Sequence, residues 1–166
     1  MKKLYFFVGR LGSGKTYIAK LLQQQYKEEG KSTLFIEVSD IVGDFAKKLF
    51  GANPTREDKQ RVKEMMKSDP DFILNEMQNR IEAIAAEHII ISGLREYWIH
   101  QELEKQYGRA EVTLVEARED LRKKRRNYND KEFVEAELRD DQIGIGAYIE
   151  TIKGRAALRV NNYEDN

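Results

Sequence analysis

The stretch VGRLGSGKTYIAKLL, Val8 to Leu22, decides how this chain is read. The apolar run Leu4–Val8 leads into Gly9-Arg10-Leu11-Gly12-Ser13-Gly14-Lys15-Thr16, and a helical pattern follows. The segment fits G-x-x-x-x-G-K-[ST] at every fixed position. Its glycines can turn backbone N–H groups inward, making a nest for phosphate oxygens. The helix starting near Lys15 adds the positive end of its dipole. Lys15 would then reach the β- and γ-phosphates of ATP, and the Thr16 hydroxyl would ligate Mg²⁺. The expected cradle takes in Gly9, Leu11, Gly12, Ser13, Gly14, Lys15, Thr16 and Tyr17. By chance such a pattern arises on the order of once in 200 chains of this length. Its position between an apolar strand and an amphipathic helix argues further against a coincidental glycine turn.

Working outward, five short apolar runs read as buried strands: Leu4–Val8, Thr33–Val38, His88–Ser92, Val112–Val115 and Leu158–Val160. Helical patterns lie between them. Ile18, Leu21, Leu22 and Tyr26 share one helical face, and so do Ile73, Met77, Ile81 and Ile84. Thr55 with Asp58 forms a predicted capping box, and Asp69-Pro70 reads as an N-cap followed by proline at the first helical position. Gly30 and Gly51 sit where helices should stop. Continuous apolar strands alternating with helices predict a parallel sheet covered on both faces. The polar stretch 118–146 is expected to project from the body.

Composition narrows the class. The 166 residues suit one domain with a sizeable core. Lys plus Arg and Asp plus Glu both number 29, so the formal net charge is zero and any basic site must be local. With no cysteine, disulfides, thiolate chemistry and cysteine-ligated zinc are excluded. Lys2-Lys3 before an apolar run imitates a signal peptide, but the run of five residues is shorter than a signal core. No stretch approaches a membrane span. A cytoplasmic protein is expected, as a monomer or homodimer, with no membrane partner and no nucleic acid.

A guanine-specific switch protein would need an N-K-x-D motif, which this sequence lacks. The segments VSDIVGDFAKKLFG (38–51), IIISGLREYWIHQELEKQYG (89–108), RKKRR (122–126) and LRVNN (158–162) join the loop in a wider likeness. The chain resembles the P-loop nucleotide kinases, in the branch holding deoxynucleoside monophosphate kinases and dephospho-CoA kinases. The resemblance spans nearly the whole chain, and the loop is its one specific motif. It implies a three-layer α/β P-loop NTPase fold with a five-stranded parallel sheet in the order 2-3-1-4-5. It also implies ATP- and Mg²⁺-dependent phosphoryl transfer to a small-molecule nucleotide acceptor. A nucleoside or deoxynucleoside monophosphate leads, with dephospho-CoA as an alternative. A helical cap over residues 43–77 would cover the acceptor, and an arginine-rich lid over 118–146 would close on the phosphates.

Residue by residue, Glu37 and Asp40 fall at the C-terminal end of the second strand, the edge where open parallel sheets bind ligands. Asp40 could orient or deprotonate the acceptor, or serve as N-cap for a helix Ile41–Phe50. Related kinases often carry an aspartate where this chain has Ser92, so the metal-side acid is expected at Glu37 or Asp40. Arg95, after the third strand, suits a bidentate clamp on the acceptor's phosphate. Arg118, Arg122, Arg125 and Arg126 make one helical stripe. Arg122 and Arg126 are the expected lid pair, supplying cations for the migrating group. The competing readings of this stripe are a solvated basic face and a nucleic-acid patch. Asp140 and Asp141 could anchor the lid arginines. Asn161 stands where the family contacts adenine, and many relatives continue into a final helix beyond it. Trp98, Met65 and Met66 are expected in the core, and His88 and His100 are read as structural. The functional alternative is a non-catalytic ATP-binding module that reports nucleotide state to a partner.

Overall fold

Five parallel strands build one sheet in the computed structural model, which describes residues 1–162. The strands are β1 (Lys3–Val8), β2 (Thr33–Glu37), β3 (His88–Ser92), β4 (Glu111–Glu116) and β5 (Ala157–Val160). The helices are α1 (Lys15–Glu28), α2 (Val38–Phe50), α3 (Arg56–Lys67), α4 (Phe72–Ala83), α5 (Tyr97–Tyr107), α6 (Glu119–Arg125), α7 (Asp130–Ile143) and α8 (Ile145–Ile152). The order β2-β3-β1-β4-β5 is the one expected from the resemblance. Strand β1 pairs with β3 from Lys3↔His88 to Phe7↔Ser92, and with β4 from Tyr5↔Glu111 to Val8↔Leu114.

The alternation of strand side chains divides the core in two. Leu4, Phe6 and Val8 of β1, with Ile89 and Ile91 of β3, meet Ile41, Met77, Ile81, Leu103 and Tyr148 from α2, α4, α5 and α8. Tyr5, Phe7, Ile90 and Val115 face the other way and meet Ala19, Ile18, Leu22 and Tyr26 of α1. Ile89, Ile90 and Ile91 are all fully buried, each contributing about 1.5–3 kcal/mol of transfer free energy. Because the strands are all parallel, the loops after β1, β2 and β3 leave from the same C-terminal edge, while the connecting helices return across the two faces.

Several local expectations are corrected. Strand β5 is exposed along its whole length, because it is an edge strand with its side chains uncovered among the described residues. Strand β2, the other edge, buries only Ile36 and ends at Glu37 rather than Val38. Helix α2 therefore starts at Val38, placing Asp40 in its first turn, where the dipole favours an anion, and not at its N-cap. Leu21 is exposed, since at about 100° per residue it points roughly 100° away from Leu22 on the helix wheel. Ile84 lies just past the end of α4 in extended backbone and is exposed too. Asp69 and Pro70 form a turn before α4: the Asp69 carboxylate accepts from the Asp71 N–H at 3.3 Å, and Asp71 is the N-cap. Met65 is exposed on α3, whose one buried residue is Val62. The Thr55–Asp58 capping box forms as expected, and Gly51 ends α2 at φ 96°. In the 43–77 segment, Leu74 and Met77 belong to the body's core.

His100 and His88 are both buried in hydrogen-bonded settings, to Tyr148 Oη at 2.9 Å and Tyr5 Oη at 3.0 Å. Burial lowers both imidazoles below their ordinary range. Beside His100, Arg155 grips Glu104 with two bonds of 2.5 and 3.1 Å, and the Ala110 N–H donates to the same carboxylate at 2.8 Å. Burial alone would raise Glu104, but Arg155, Ala110 and His100 together outweigh it and hold the carboxyl at about 2. A folded value below the free value of 4.5 means stability that is present above about pH 4.5 and lost as pH falls toward 2. The gain at neutral pH is on the order of 3 kcal/mol. Glu104→Gln is expected to lose most of that at pH 7 in urea denaturation, with the gap to wild type cut to about half or less by pH 3. An equal loss at both pH values would show the effect to be packing alone.

Candidate functional site

The loop after β1 curls as its glycines permit. Gly12 and Gly14 take φ 76° and 84°, in the left-handed region closed to most side chains. Gly14 is the N-cap of α1 and has no side chain to satisfy the first-turn amides. The N–H groups of Lys15, Thr16 and Tyr17 are thus left to an external acceptor. Two glycines are fixed by close approach as well. A Cβ on Gly9 would stand 2.4 Å from the Val115 carbonyl oxygen. A Cβ on Gly12 would stand 2.6 Å from the Arg122 carbonyl oxygen, so the backbone of α6 rests on the loop.

Thr16 and Glu37 meet at the mouth of the cradle. Thr16 Oγ1 donates to Glu37 Oε2 at 2.7 Å and lies 3.2 Å from Ser92 Oγ. Ser39 Oγ donates to Glu37 Oε1 at 3.3 Å. Gly93, at φ 88°, leaves room for that carboxylate: a Cβ there would fall 2.4 Å from Glu37 Oε1. These donors are all oxygens, one of them a carboxylate, and suit a hard cation such as Mg²⁺ that keeps waters and phosphate oxygens as its other ligands. Among the described residues, no group of three or more His, Cys, Asp or Glu side chains could hold a metal unaided.

Lys15 is drawn below the ordinary lysine range, chiefly by burial. Glu37 and Asp140 oppose the shift, while Arg95 and Arg126 add to it. Four charged groups from other elements or loops therefore act electrostatically on Lys15. Arg95 Nη1 lies 3.0 Å from Asp140 Oδ1, and Asp140 is only 5 % exposed. Asp40, the other acid named from the sequence, stands exposed.

Helix α7 ties down the loop after β1 through two carboxylates one turn apart, Glu137 and Asp141. Glu137 takes Arg122 Nη1 at 2.6 Å and Arg10 Nη1 at 3.2 Å, and Asp141 takes Arg10 Nη1 at 3.0 Å. Arg122 also donates to the Leu11 carbonyl at 3.3 Å and is 7 % exposed. Asp140 and Asp141, read from sequence as anchors for the lid arginines, instead hold Arg95 and Arg10; Glu137 is the anchor of Arg122. Arg125 donates to the Gly12 carbonyl at 3.1 Å and to the Asn161 carbonyl at 2.8 Å. Arg126 is exposed, 5.6 Å from the Tyr128 ring centroid. Asn161 donates from Nδ2 to the Ser13 carbonyl at 3.2 Å, which brings the segment after β5 against the loop. Tyr17 turns its ring to solvent. Trp98 is half-buried, and its Nε1 donates to Glu96 at 2.6 Å. Next to the loop, a cavity of about 260 Å³ is lined by Ser13, Glu116, Arg122, Ile149, Glu150 and Lys153.

Sequence reasoning missed Glu137 and Arg10 as ion-pair partners; Arg125 was placed in the arginine stripe but not in the expected lid pair. Glu137, one helical turn before Asp140 and Asp141, was the available signal.

No family model matches the chain, and no curated protein matches it. Among solved structures, 72 chains match. The Thermus thermophilus protein TT1252 superposes with a TM-score of 0.57 at 16 % identity, over 99 % of this chain and 90 % of that one. A gluconokinase from Sinorhizobium meliloti 1021 superposes with a TM-score of 0.51 at 16 % identity, over 99 % of this chain and 84 % of that one. At these identities the likeness is one of fold. The fold is the P-loop NTPase fold, with helices on both faces of a 2-3-1-4-5 sheet.

Gly12→Ala is expected to cost about 1–3 kcal/mol, from both the positive φ and the contact with the Arg122 backbone. Gly43, inside α2 with nothing within 4 Å of an added Cβ, is the control. Gly43→Ala should gain about 0.5–1 kcal/mol from better helix propensity. Urea denaturation of both variants checks the contrast.

Proposed function

We propose that the chain is a phosphotransferase that moves the γ-phosphoryl group of ATP to a small nucleotide-like acceptor, with a nucleoside or deoxynucleoside monophosphate as the leading class. The observation that carries this reading is the curled glycine loop that leads into Lys15, with Thr16 bonded to Glu37. The likeness to a gluconokinase fold supports a small-molecule kinase in general and leaves the acceptor to the site's own residues.

In this reading, the amides of Gly12 to Tyr17 and the Lys15 ammonium hold the donor phosphates. Thr16 and Glu37 hold Mg²⁺ alongside the nucleotide. Bound there, the metal would neutralise part of the phosphate charge. A phosphate in the cradle would also restore to the Lys15 ammonium some of the stabilisation that burial removes. Arg95 clamps the anionic group of the acceptor, using guanidinium N–H groups beyond the one bonded to Asp140. Arg126 serves the migrating group, whose transition state needs positive charge and positioning more than covalent help. Arg122, enclosed by Glu137, fixes α6 on the loop. Asn161 and the Ser13 carbonyl mark the adenine side. The segments 43–77 and 118–146 act as acceptor cap and phosphate lid. Asp40 stands near the acceptor edge as the position read from sequence for orienting its oxygen.

A coupled ADP-release assay against a panel of nucleoside monophosphates, deoxynucleoside monophosphates, dephospho-CoA and hydroxylated sugar acids tests the proposal. Stimulation by one class is expected. Lys15→Ala should abolish it, by roughly 10²-fold or more, while far-ultraviolet circular dichroism stays native. A flat rate across the panel, with ATP still bound, would overturn the kinase reading in favour of a nucleotide-reporting module.

A further inference from the structure

Glycine gives the loop after β1 its curl and also its weakness. Each of the peptide units Leu11–Gly12, Gly12–Ser13 and Ser13–Gly14 contains a glycine, so each can turn over at little steric cost. A unit that turns over presents its carbonyl, instead of its N–H, to an anion in the nest. Three side chains from far along the chain bear on these same units. Arg122 Nη1 donates to the Leu11 carbonyl at 3.3 Å, Arg125 Nη1 to the Gly12 carbonyl at 3.1 Å, and Asn161 Nδ2 to the Ser13 carbonyl at 3.2 Å. Three consecutive carbonyls are thus each held from α6 or from the segment after β5. Arg125 also joins the two holders, since its Nη2 donates to the Asn161 carbonyl at 2.8 Å. Gly14 makes the approach possible: a Cβ there would stand 2.1 Å from Asn161 Nδ2. The loop's peptides are trans, and in a trans peptide the carbonyl and the next N–H point in opposite directions. Fixing the three carbonyls therefore fixes the N–H groups of Gly12, Ser13 and Gly14. That of Ser13 closes the turn onto the Arg10 carbonyl at 3.1 Å, and those of Gly12 and Gly14 face away from Arg122 and Asn161.

We propose that Arg125 and Asn161, with Arg122, are positioning residues of the phosphate loop. They hold its carbonyls on the outer side and so keep the Gly12 and Gly14 amides turned toward the anion before it arrives. The inference rests on the phosphate-binding part of the reading above and not on any acceptor. It gives Asn161 a task toward the phosphates, separate from the adenine side. The physical basis is preorganisation: a loop that is competent for only a fraction of the time binds more weakly by that fraction. A guanidinium-to-carbonyl bond is charge-assisted, and losing one changes such a fraction by about tenfold. Arg122 is also held by Glu137, so its removal would disturb α7 as well. Arg125 and Asn161 are therefore the residues on which the inference is decided.

The test is titration calorimetry of inorganic tripolyphosphate and of ATP, each with Mg²⁺, on the full chain and on Asn161→Ala, Arg125→Ala and Arg125→Lys. Tripolyphosphate carries no base, and Asn161→Ala changes no charge. Asn161→Ala is expected to weaken both ligands alike, by roughly 3- to 10-fold. Arg125→Ala should weaken both by about 10-fold or more. Arg125→Lys keeps the charge but loses the fork that spans the Gly12 and Asn161 carbonyls, so it should recover only a minor part of that loss. Relaxation-dispersion NMR of the ligand-free protein should show exchange at the Gly12 and Gly14 amides in Asn161→Ala, absent from the wild type and quenched by tripolyphosphate. If Arg125→Ala does not fold, Asn161→Ala and Arg125→Lys decide the matter. Tripolyphosphate affinity unchanged in the variants would overturn the inference. A loss confined to ATP would overturn it by making Asn161 a contact of the base. Full recovery in Arg125→Lys, with the loop amides quiet in Asn161→Ala, would overturn it by reducing both residues to direct contacts with the anion. A wild type that binds neither ligand would overturn it together with the phosphate-binding loop. A flat ADP-release panel with these affinity losses intact would remove the kinase reading alone.

Discussion

The site turns on an excess of positive charge around one glycine loop, with Lys15, Arg95 and Arg126 set against Glu37 and Asp140. Helix α1 begins without a side-chain cap at the end of the glycine loop, and its first residue, Lys15, brings an ammonium. Arg95 and Arg126 act on that ammonium unfavourably, and burial withdraws its water. Glu37 and Asp140 offset part of this, leaving a cradle that a multiply charged anion would complete. The sheet makes the arrangement possible. With all strands parallel, the loops after β1, β2 and β3 leave from one edge, so Lys15, Glu37 and Arg95 arrive from separate stretches of chain at one point.

The remaining charges tie moving parts to that point. Glu137 accepts from both Arg10 and Arg122, linking the loop, α6 and α7 through one carboxylate. Arg122 is nearly buried, and a buried guanidinium left without its partner is costly. The pair therefore sets where α6 sits. Gly12 completes the fit: its missing side chain lets the Arg122 backbone touch the loop. Loop curvature and the position of α6 are coupled here by contact, because any change in the loop must displace α6 or its carboxylate anchor.

Elements whose cause is local were legible in the sequence. The strands β1 and β3 are continuous apolar runs because both faces are covered, and the loop between β1 and α1 is written in glycines whose conformations few other residues adopt. The capping box at Thr55 is likewise a four-residue device. What failed depended on neighbours. Leu158 and Val160 read as core but sit on an edge strand, and apolarity does not distinguish an edge from a centre. Asp69-Pro70 matched a helix start, yet the turn closed two residues early and handed the cap to Asp71. Asp40 looked like a cap because the end of β2 was drawn one residue late.

The same division runs through the site. Gly12, Gly14, Lys15 and Thr16 could be named from spacing, since a phosphate nest is made by consecutive residues. Glu37 and Arg95 followed from the rule that ligands gather beyond strand ends. Glu137 did not, and Asp140 was named without its actual partner, because Arg122 and Arg95 are 15 and 45 residues away along the chain and only the crossing of α7 brings them together. A fold shared with a gluconokinase at 16 % identity fixes where chemistry can occur without naming the molecule that accepts it.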